Sequence, residues 1–340
     1  MTHLNVYTEA DILSYVNKRK GEKKFGEKVT FIPANSTVEE ALKNSTANYV
    51  LVGIEESIGV KANRGNQGTE TAWKSALKSL LNTQHSSINK AKKVLVLGAL
   101  SFPEQMKKAE SLSVNSTDDL QKLYALVDEI DQEVTNLIFN IVKAGKTPII
   151  IGGGHNNAYG NIKGTSLALN KPINAINFDA HTDFRALEGR HSGNGFSYAF
   201  HEGFLNRYFV FGIHENYTSK NILKELSSHN KYINYNTFEA IAVRKETEYK
   251  HEMQYALNFI KKDKFGIEID LDAIQNIASS AMTPSGFNAN DAREFIAYFG
   301  SSKNVAYLHL CEAAPSLENT NSNQTGKLIS YLITDFLRAN

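Results

Sequence analysis

Short apolar runs that alternate with longer amphipathic stretches constrain the fold of this chain more than any other feature. Seven runs are short, rich in β-branched residues and apolar on both faces, which is typical of strands buried in a parallel sheet. The longest helical pattern covers about 118–144, where apolar residues recur at three- and four-residue steps. Strands that alternate with helices predict βαβ units and a mostly parallel sheet with helices on both faces. The predicted strands are residues 48–54, 93–100, 147–154, 173–180, 207–213, 265–272 and 305–312.

No feature of the 340 residues marks a boundary between domains. The 6 prolines are spread along the chain, and there is no internal repeat or low-complexity linker. We therefore predict a single α/β domain over residues 1–340, a length that is sufficient to bury a large core. Residues 1–46 are polar and are predicted to form an N-terminal extension packed on or near this domain, with the charged run at 18–28 as a solvated surface.

Charge and cysteine content exclude several classes of function. Lysine and arginine number 37 against 36 acidic residues, so the net charge of +1 gives no basic footprint for nucleic acid. The single cysteine, Cys311, excludes an internal disulfide and a cysteine-based zinc site. No run of 18 apolar residues and no signal-peptide pattern is present. We expect a cytoplasmic protein that binds neither membranes nor nucleic acid.

Polar residues follow four of the predicted strands, at the edge where parallel sheets bind their ligands. In extended chain, residues two positions apart face the same side, so the acidic residues of a D-x-H-x-D or D-x-D motif converge. Several carboxylates buried together are costly unless a cation compensates their charge. The residues in question are His155, Asp179, His181, Asp183, Asp270, Asp272 and Glu312.

Two imidazoles and four carboxylates predict a site for two divalent cations. Six ligands are too many for one catalytic ion with an open position, but they suit two ions that share bridging carboxylates. A set without thiolate suits Mn²⁺, with Fe²⁺, Co²⁺ or Zn²⁺ as alternatives. Each residue alone is more commonly a helix cap or a structural residue. The three motifs together favour the metal site, and the G-G-G-H spacing at 152–155 is not that of a phosphate-binding loop.

These motifs resemble those of the ureohydrolase superfamily, which contains arginase, agmatinase and formimidoylglutamase. The similar blocks are GGGH at 152–155, DAHTDFR at 179–185, DLD at 270–272, EAAPSL at 312–317 and the first loop and helix at 59–77. The resemblance implies a single three-layer α/β/α domain with a mainly parallel sheet of about eight strands. It also implies a homo-oligomer, either a trimer or a hexamer.

The resemblance further implies two Mn²⁺ ions per subunit, with a hydroxide between them as the nucleophile. Asp179 and Asp270 would bridge the ions. Asp183 would also accept and relay a proton, and Glu312 would pair with the cationic amidine of the substrate. The complete sets would be His155, Asp179, Asp183 and Asp270 for one ion, and His181, Asp179, Asp270 and Asp272 for the other.

Two positions depart from the family pattern, and the second bears on the substrate. Glu268 stands where the family often has serine, and Phe196 stands where arginases have a proton-shuttling histidine. His191 or His201 could take over that catalytic role. The missing histidine disfavours arginase relative to the other members of the superfamily.

The loop at 184–196 is rich in arginine and small polar residues, and it predicts an anion-binding rim. Arginine can bind a carboxylate in bidentate fashion. N-formimidoyl-L-glutamate has two carboxylates, arginine has one and agmatine has none, and the R-x-x-E-G-x-x-S-G arrangement also resembles formimidoylglutamase. Salt bridges to neighbours such as Glu188 are the competing explanation for the arginines. The predicted substrate contacts are Arg64, Arg185, Arg190, Ser192 and Asn194.

We therefore predict a formimidoylglutamase that converts N-formimidoyl-L-glutamate and water to L-glutamate and formamide in histidine degradation. An arginase or another guanidino hydrolase that releases urea is the main alternative. A non-catalytic family member that serves as a binding subunit is disfavoured because all six metal ligands are present. A two-metal phosphoesterase would use similar ions, but no additional histidine-rich motif supports it.

Overall fold

The computed structural model describes residues 2–33, 35–319 and 322–339, and nine strands lie within them. They are β1 (Leu4–Val6), β2 (Tyr49–Glu55), β3 (Val94–Ser101), β4 (Thr147–Ile151), β5 (Ile173–Phe178), β6 (Leu205–Ile213), β7 (Ile233–Thr237), β8 (Phe265–Asp270) and β9 (Val305–Cys311).

All nine strands belong to one sheet, in the order β1-β3-β2-β4-β9-β8-β5-β6-β7. Every neighbouring pair is parallel except β1 and β3, which are antiparallel. The mainly parallel sheet predicted from the alternating pattern is thus confirmed, with nine strands instead of about eight.

Twelve α-helices in the described residues cover the two faces of the sheet. One hydrophobic core lies between the sheet and α1, α4 and α10–α12, and a second lies between the sheet and α2, α3 and α5–α9. None of these helices is long and apolar enough to cross a membrane. The helices are α1 (Glu9–Ser14), α2 (Val38–Asn44), α3 (Ile58–Ala62), α4 (Ala72–Leu80), α5 (Pro103–Glu110), α6 (Thr117–Lys143), α7 (Asn157–Leu169), α8 (Gly195–His201), α9 (Lys220–Ser228), α10 (Tyr249–Ile260), α11 (Ala289–Gly300) and α12 (Gln324–Ala339).

The seven strands expected from apolar runs are all present, and the two additional strands lack such runs. β7 has the sequence INYNT and is only partly buried beyond its first residue, as befits an edge strand. β1 has three residues and adds the N-terminal segment to the opposite edge. In the charged run at 18–28, residues 18–21 and 23 are exposed, but Lys24, Phe25 and Gly26 are buried, so the run is more than a solvated surface.

The sheet order brings the four predicted polar loops together. Strands β4, β9, β8 and β5 are consecutive neighbours, and all four run in the same direction. Ile151, Leu310, Ile269 and Phe178 are paired across them in register, so the strands end at nearly the same level. The loops that follow these residues therefore meet at one edge of the sheet.

Candidate metal centre and active site

The loop after β4 needs glycine at its first two positions. Gly152 and Gly153 have φ angles of 90° and 70°, in the left-handed region that disfavours residues with a Cβ. A Cβ on Gly153 would also lie 2.3 Å from Nδ2 of Asn157. These two residues let the chain turn sharply from the buried strand and place His155 at the start of the segment that leads into α7.

Glu56 holds this loop in place and was not predicted from the sequence. Its carboxylate is fully buried and accepts hydrogen bonds from the backbone N–H of Gly154 at 2.9 Å and from Nδ2 of Asn157 at 2.7 Å. The other oxygen accepts from the N–H groups of Ile58 and Gly59 at the start of α3. The sequence signal that could have identified Glu56 is its position directly after the buried strand β2.

His155 and three aspartates form the first set of candidate ligands. Nδ1 of His155 lies 2.8 Å from Oδ2 of Asp183 and 3.3 Å from Oδ2 of both Asp179 and Asp270. The four residues are buried, and their donor atoms all lie within 4.8 Å of one another.

His181, Asp272 and Asp179 form the second set. Nδ1 of His181 lies 3.1 Å from Oδ2 of Asp272 and 3.7 Å from Oδ1 of Asp179. The structure thus brings the six predicted metal ligands together in two overlapping sets. Asp179 belongs to both sets, whereas Asp270 groups with His155.

The electrostatics of the two sets fit divalent cations. Burial, reinforced by the charge of Asp179, raises the pKa of Asp183 to about 6. The charge of Asp272, opposed by burial, raises the pKa of His181 to about 11. Among the described residues, Nδ1 of His155 and Oδ1 of Asp272 are buried without a hydrogen-bond partner. Bound cations would compensate the excess buried negative charge and would provide partners for these two atoms.

Glu312 follows β9 and faces the same site. Its φ of 58°, like the 43° of Asp183, is unusual for a residue other than glycine, and such backbone strain is concentrated at functional sites. Oε1 accepts a hydrogen bond from the backbone N–H of His155 at 2.6 Å. Burial raises the pKa of Glu312 to about 8, so a cationic partner would favour its charged form.

A pocket of about 640 Å³ opens onto both ligand sets. It has the volume of a small-molecule site. Several of the predicted substrate contacts lie in its wall. The lining includes Asn63, Arg64, His181, Asp183, Arg185, Glu188, Ser192, Tyr217, Asp270, Asp272 and Glu312.

Arg185 is the predicted anion-binding residue best placed in this pocket. Its side chain is half exposed, and its guanidinium donates to Oδ1 of Asn63 at 2.7 Å and to Oε1 of Glu188 at 3.0 Å. Arg64 is exposed and donates to Asn115. Ser192 lines the same pocket and accepts from Asn63.

Arg190 and Asn194, two of the predicted substrate contacts, do not line this pocket. The Arg190 side chain is 3% exposed and forms an ion pair with Asp131 of α6 at 2.8 Å. It also donates to Asn194 and to the carbonyl of Asn156. Asn194 donates in turn to two carbonyls of its own loop. Both side chains hold the loop because a buried guanidinium needs several acceptors, which the sequence alone did not locate.

The two residues considered for proton shuttling also lie apart from the pocket wall. His191 is buried: its Nε2 lies 3.2 Å from Oε1 of Glu188, and its Nδ1 accepts from the N–H of Gly193. His201 is exposed on α8. Phe196 is buried, stacks on Tyr208 with ring centroids 4.3 Å apart and packs edge-on against His155. Phe196 therefore packs against a candidate ligand without offering a proton.

The three-layer fold and the two ligand sets at the carboxyl edge of its sheet define a class of protein, an α/β enzyme with a candidate binuclear metal centre. The model of the Arginase family matches residues 47–338, and the chain belongs to this family. The resemblance seen in the motifs is thereby confirmed, and the protein is an enzyme that acts on amidine or guanidino bonds.

Individual relatives agree with this assignment. The chain is 28% identical over 213 residues to a formimidoylglutamase from Geobacillus thermodenitrificans, a match that spans 61% of this chain and 65% of that relative. It is 23% identical over 328 residues to a formimidoylglutamase from Streptococcus pyogenes, covering 91% and 90% of the two chains. The crystal structure of Trypanosoma cruzi formiminoglutamase with Mn²⁺ has the same fold, with a TM-score of 0.71, 17% identity and coverage of 93% and 99%.

Proposed function

We propose that this protein is a formimidoylglutamase that uses two Mn²⁺ ions to hydrolyse N-formimidoyl-L-glutamate to L-glutamate and formamide. The observation that carries the proposal is the pair of overlapping ligand sets at a pocket whose wall also holds Arg64 and Arg185. The names of the relatives from G. thermodenitrificans and S. pyogenes support the same substrate.

The donor set supports the choice of metal. Carboxylates and imidazoles without thiolate suit Mn²⁺, and the T. cruzi structure was solved with this ion. When bound, two such ions lower the pKa of a water molecule toward neutrality and orient it for attack. The residues that would hold them are His155, Asp179, Asp183 and Asp270 for one ion, and Asp179, His181, Asp270 and Asp272 for the other.

Two acidic residues would handle the charge and the protons of the substrate. Oε2 of Glu312 has no hydrogen-bond partner among the described residues, and Glu312 lines the pocket. A cationic formimidoyl group would pair with this carboxylate by a charge-assisted hydrogen bond. Asp183, also in the pocket wall, would take a proton and return it to the departing amine.

The glutamate part of the substrate would be held by arginine. Arg185 and Arg64 bring two guanidinium groups to one pocket, matching a substrate with two carboxylates. The ion pair of Arg185 with Glu188 is half exposed, and pairs of this kind contribute only about 0–1 kcal/mol. A substrate carboxylate can therefore replace Glu188 as the partner of Arg185 at little cost. Ser192 would add a neutral contact.

Further properties belong to this proposal. We propose that residues 1–340 act as one domain, that the subunits assemble into a trimer or hexamer, and that the enzyme works in the cytoplasm in histidine degradation. His191 would take part in proton transfer through Glu188, which is both its hydrogen-bond partner and part of the pocket wall.

A comparison of kcat/KM for three substrates tests the proposal. With Mn²⁺ present, kcat/KM for release of formamide from N-formimidoyl-L-glutamate should exceed kcat/KM for release of urea from arginine or agmatine by at least about 100-fold. Arginine and agmatine lack one or both carboxylates and carry a different group at the reacting carbon, and a missing charged contact typically costs about 1.5–3 kcal/mol. Asp270→Asn, which removes a ligand charge, is the inactive control. A larger kcat/KM for arginine would make the protein an arginase and contradict the proposal.

A further inference from the structure

A second cluster of buried polar side chains adjoins His155 and lies outside the candidate ligand sets. It consists of Glu268 on β8 with Tyr307 and His309 on the neighbouring strand β9, all fully buried. The hydroxyl of Tyr307 donates to Oε1 of Glu268 at 2.7 Å, and Nδ1 of His309 donates to Oε2 at 2.5 Å. Glu268 and His309 are direct cross-strand partners, so the sheet itself fixes this carboxylate.

The same carboxylate faces the second ring nitrogen of His155. Nδ1 of His155 faces the aspartates, and Nε2 lies 3.5 Å from Oε2 of Glu268. This distance is longer than the usual length of about 2.7–3.2 Å for a hydrogen bond, and Nε2 is buried without a hydrogen-bond partner among the described residues. A neutral imidazole carries one proton, and a nitrogen that binds a cation cannot carry it. When Nδ1 serves as a ligand, the proton must therefore sit on Nε2, and a buried N–H without an acceptor is costly.

These side chains and Cys311 also raise the question of a third cation. His155, Glu268, His309 and Cys311 place donor atoms within 4.8 Å of one another. However, Oε2 of Glu268 and Nδ1 of His309 are 2.5 Å apart, whereas two ligands of one ion at about 2.1 Å would lie roughly 3 Å or more from each other. The separation is that of a hydrogen bond, so a proton joins these two groups.

We propose that Glu268 is a positioning residue for the metal centre: when Nδ1 of His155 binds a cation, Glu268 accepts the proton on Nε2 and so holds Nδ1 toward the aspartates. A carboxylate in this position fixes both the tautomer and the orientation of a histidine ligand. Tyr307 and His309 in turn hold Glu268. The inference rests on the proposed binuclear function and adds a role for a residue at which this chain departs from the family pattern.

Binding of Mn²⁺ to metal-free Glu268→Gln tests this role without an activity assay. The variant keeps the size of the side chain and removes its charge. Isothermal titration should show one of two Mn²⁺ sites weakened about 10- to 100-fold, the usual effect of losing such a partner. At two equivalents of Mn²⁺, the electron paramagnetic resonance spectrum should change from that of a coupled pair to that of isolated ions. A general loss of stability would not produce this change in a folded variant.

Tyr307→Phe supplies a second and milder variant if Glu268→Gln does not fold. It removes one hydrogen bond from the same carboxylate and should weaken the same Mn²⁺ site about 3-fold. Tyr249→Phe is the matched control, since the hydroxyl of Tyr249 donates to the carbonyl of Asp291, away from the site. This control should leave both affinities unchanged.

The outcomes separate this inference from the proposed function. Two unchanged Mn²⁺ affinities in both Glu268→Gln and Tyr307→Phe would overturn the positioning role alone. A third Mn²⁺ bound by the unmodified protein and lost in Glu268→Gln would also overturn it, because Glu268 would then be a ligand. An unmodified protein that binds no Mn²⁺ would contradict the proposed function, and the positioning role with it.

Discussion

His191 shows how burial sets the chemistry of a single residue near the pocket. Burial, together with the charge of Arg185, lowers the pKa of His191 to about 4. The geometry agrees, because Nδ1 accepts a hydrogen bond from Gly193 and would lose it on protonation. The imidazole of His191 is therefore neutral in the folded protein at physiological pH, and it can hold an additional proton only briefly.

This environment makes a prediction for stability against pH. An ordinary histidine pKa of about 6.5 that falls to about 4 on folding contributes stability above pH 6.5, and this stability is lost as the pH falls toward 4. His191→Gln should therefore reduce the loss of unfolding free energy over this interval by at most about 1.4 kcal/mol per pH unit. Denaturant unfolding from pH 7 to pH 4, in the presence of EDTA, measures the difference.

The exposed residue His251 gives the control for this measurement. His251→Gln should have the same pH dependence as the unmodified protein, because its side chain is 72% exposed. Parallel stability curves for His191→Gln and the unmodified protein would show that His191 does not resist protonation in the folded state.

The loop between β5 and α8 shows how one element is held against another. The guanidinium of Arg190 lies over the rings of Tyr159 and Tyr198, with its carbon 4.8 Å and 4.9 Å from their centroids. Its ion pair with Asp131 ties the loop to α6. Burial raises the pKa of Asp131 to about 6 although Arg190 lies beside it, so this carboxylate depends on its cation.

Arg190→Met should therefore destabilise the protein by about 3–5 kcal/mol, because it leaves Asp131 buried without a partner. The double variant with Asp131→Asn should recover part of this loss. KM for the substrate should stay within about twofold in the folded fraction, whereas a lost carboxylate contact would raise it about tenfold or more. Thermal unfolding and steady-state kinetics measure the two effects.

Arg244→Met is the matched control because Arg244 forms exposed ion pairs with Glu215 and Glu246. Pairs of this kind contribute about 0–1 kcal/mol, so the unfolding free energy of this variant should be close to that of the unmodified protein. A large rise in KM for Arg190→Met would restore Arg190 as a substrate contact and contradict its placement inside the loop.

These elements also show which features could be predicted from the sequence and which could not. The six candidate ligands could be predicted because each follows an apolar run, and parallel strands end at one edge. The partner of Arg190 could not, since Asp131 lies 59 positions earlier on the helix α6. Glu56 was missed for a similar reason: although it also binds the nearby N–H groups of Ile58 and Gly59, the loop that it holds lies about 100 positions away. Strand β7 was missed because an edge strand with alternating polar residues has no continuous apolar run.

At the scale of the whole molecule, the sheet order explains why one chain can collect these ligands. Strands β4, β9, β8 and β5 are neighbours although they are far apart in sequence, and their ends supply every candidate metal ligand and Glu312. Both faces of the sheet are covered by helices, so the carboxyl edge remains open for a pocket. The fold thus brings together acidic groups from distant parts of the chain, and only in the assembled sheet can these groups share the same cations.

The most direct measurement is an anomalous difference map at the manganese edge, from crystals of the unmodified protein grown with Mn²⁺. Two peaks are expected within bonding distance of the two ligand sets, roughly 3.5–4 Å apart as in other two-metal sites, with Asp179 in contact with both. A map without peaks there, or with a single peak bound by His309 and Glu268 instead, would contradict the binuclear metal centre.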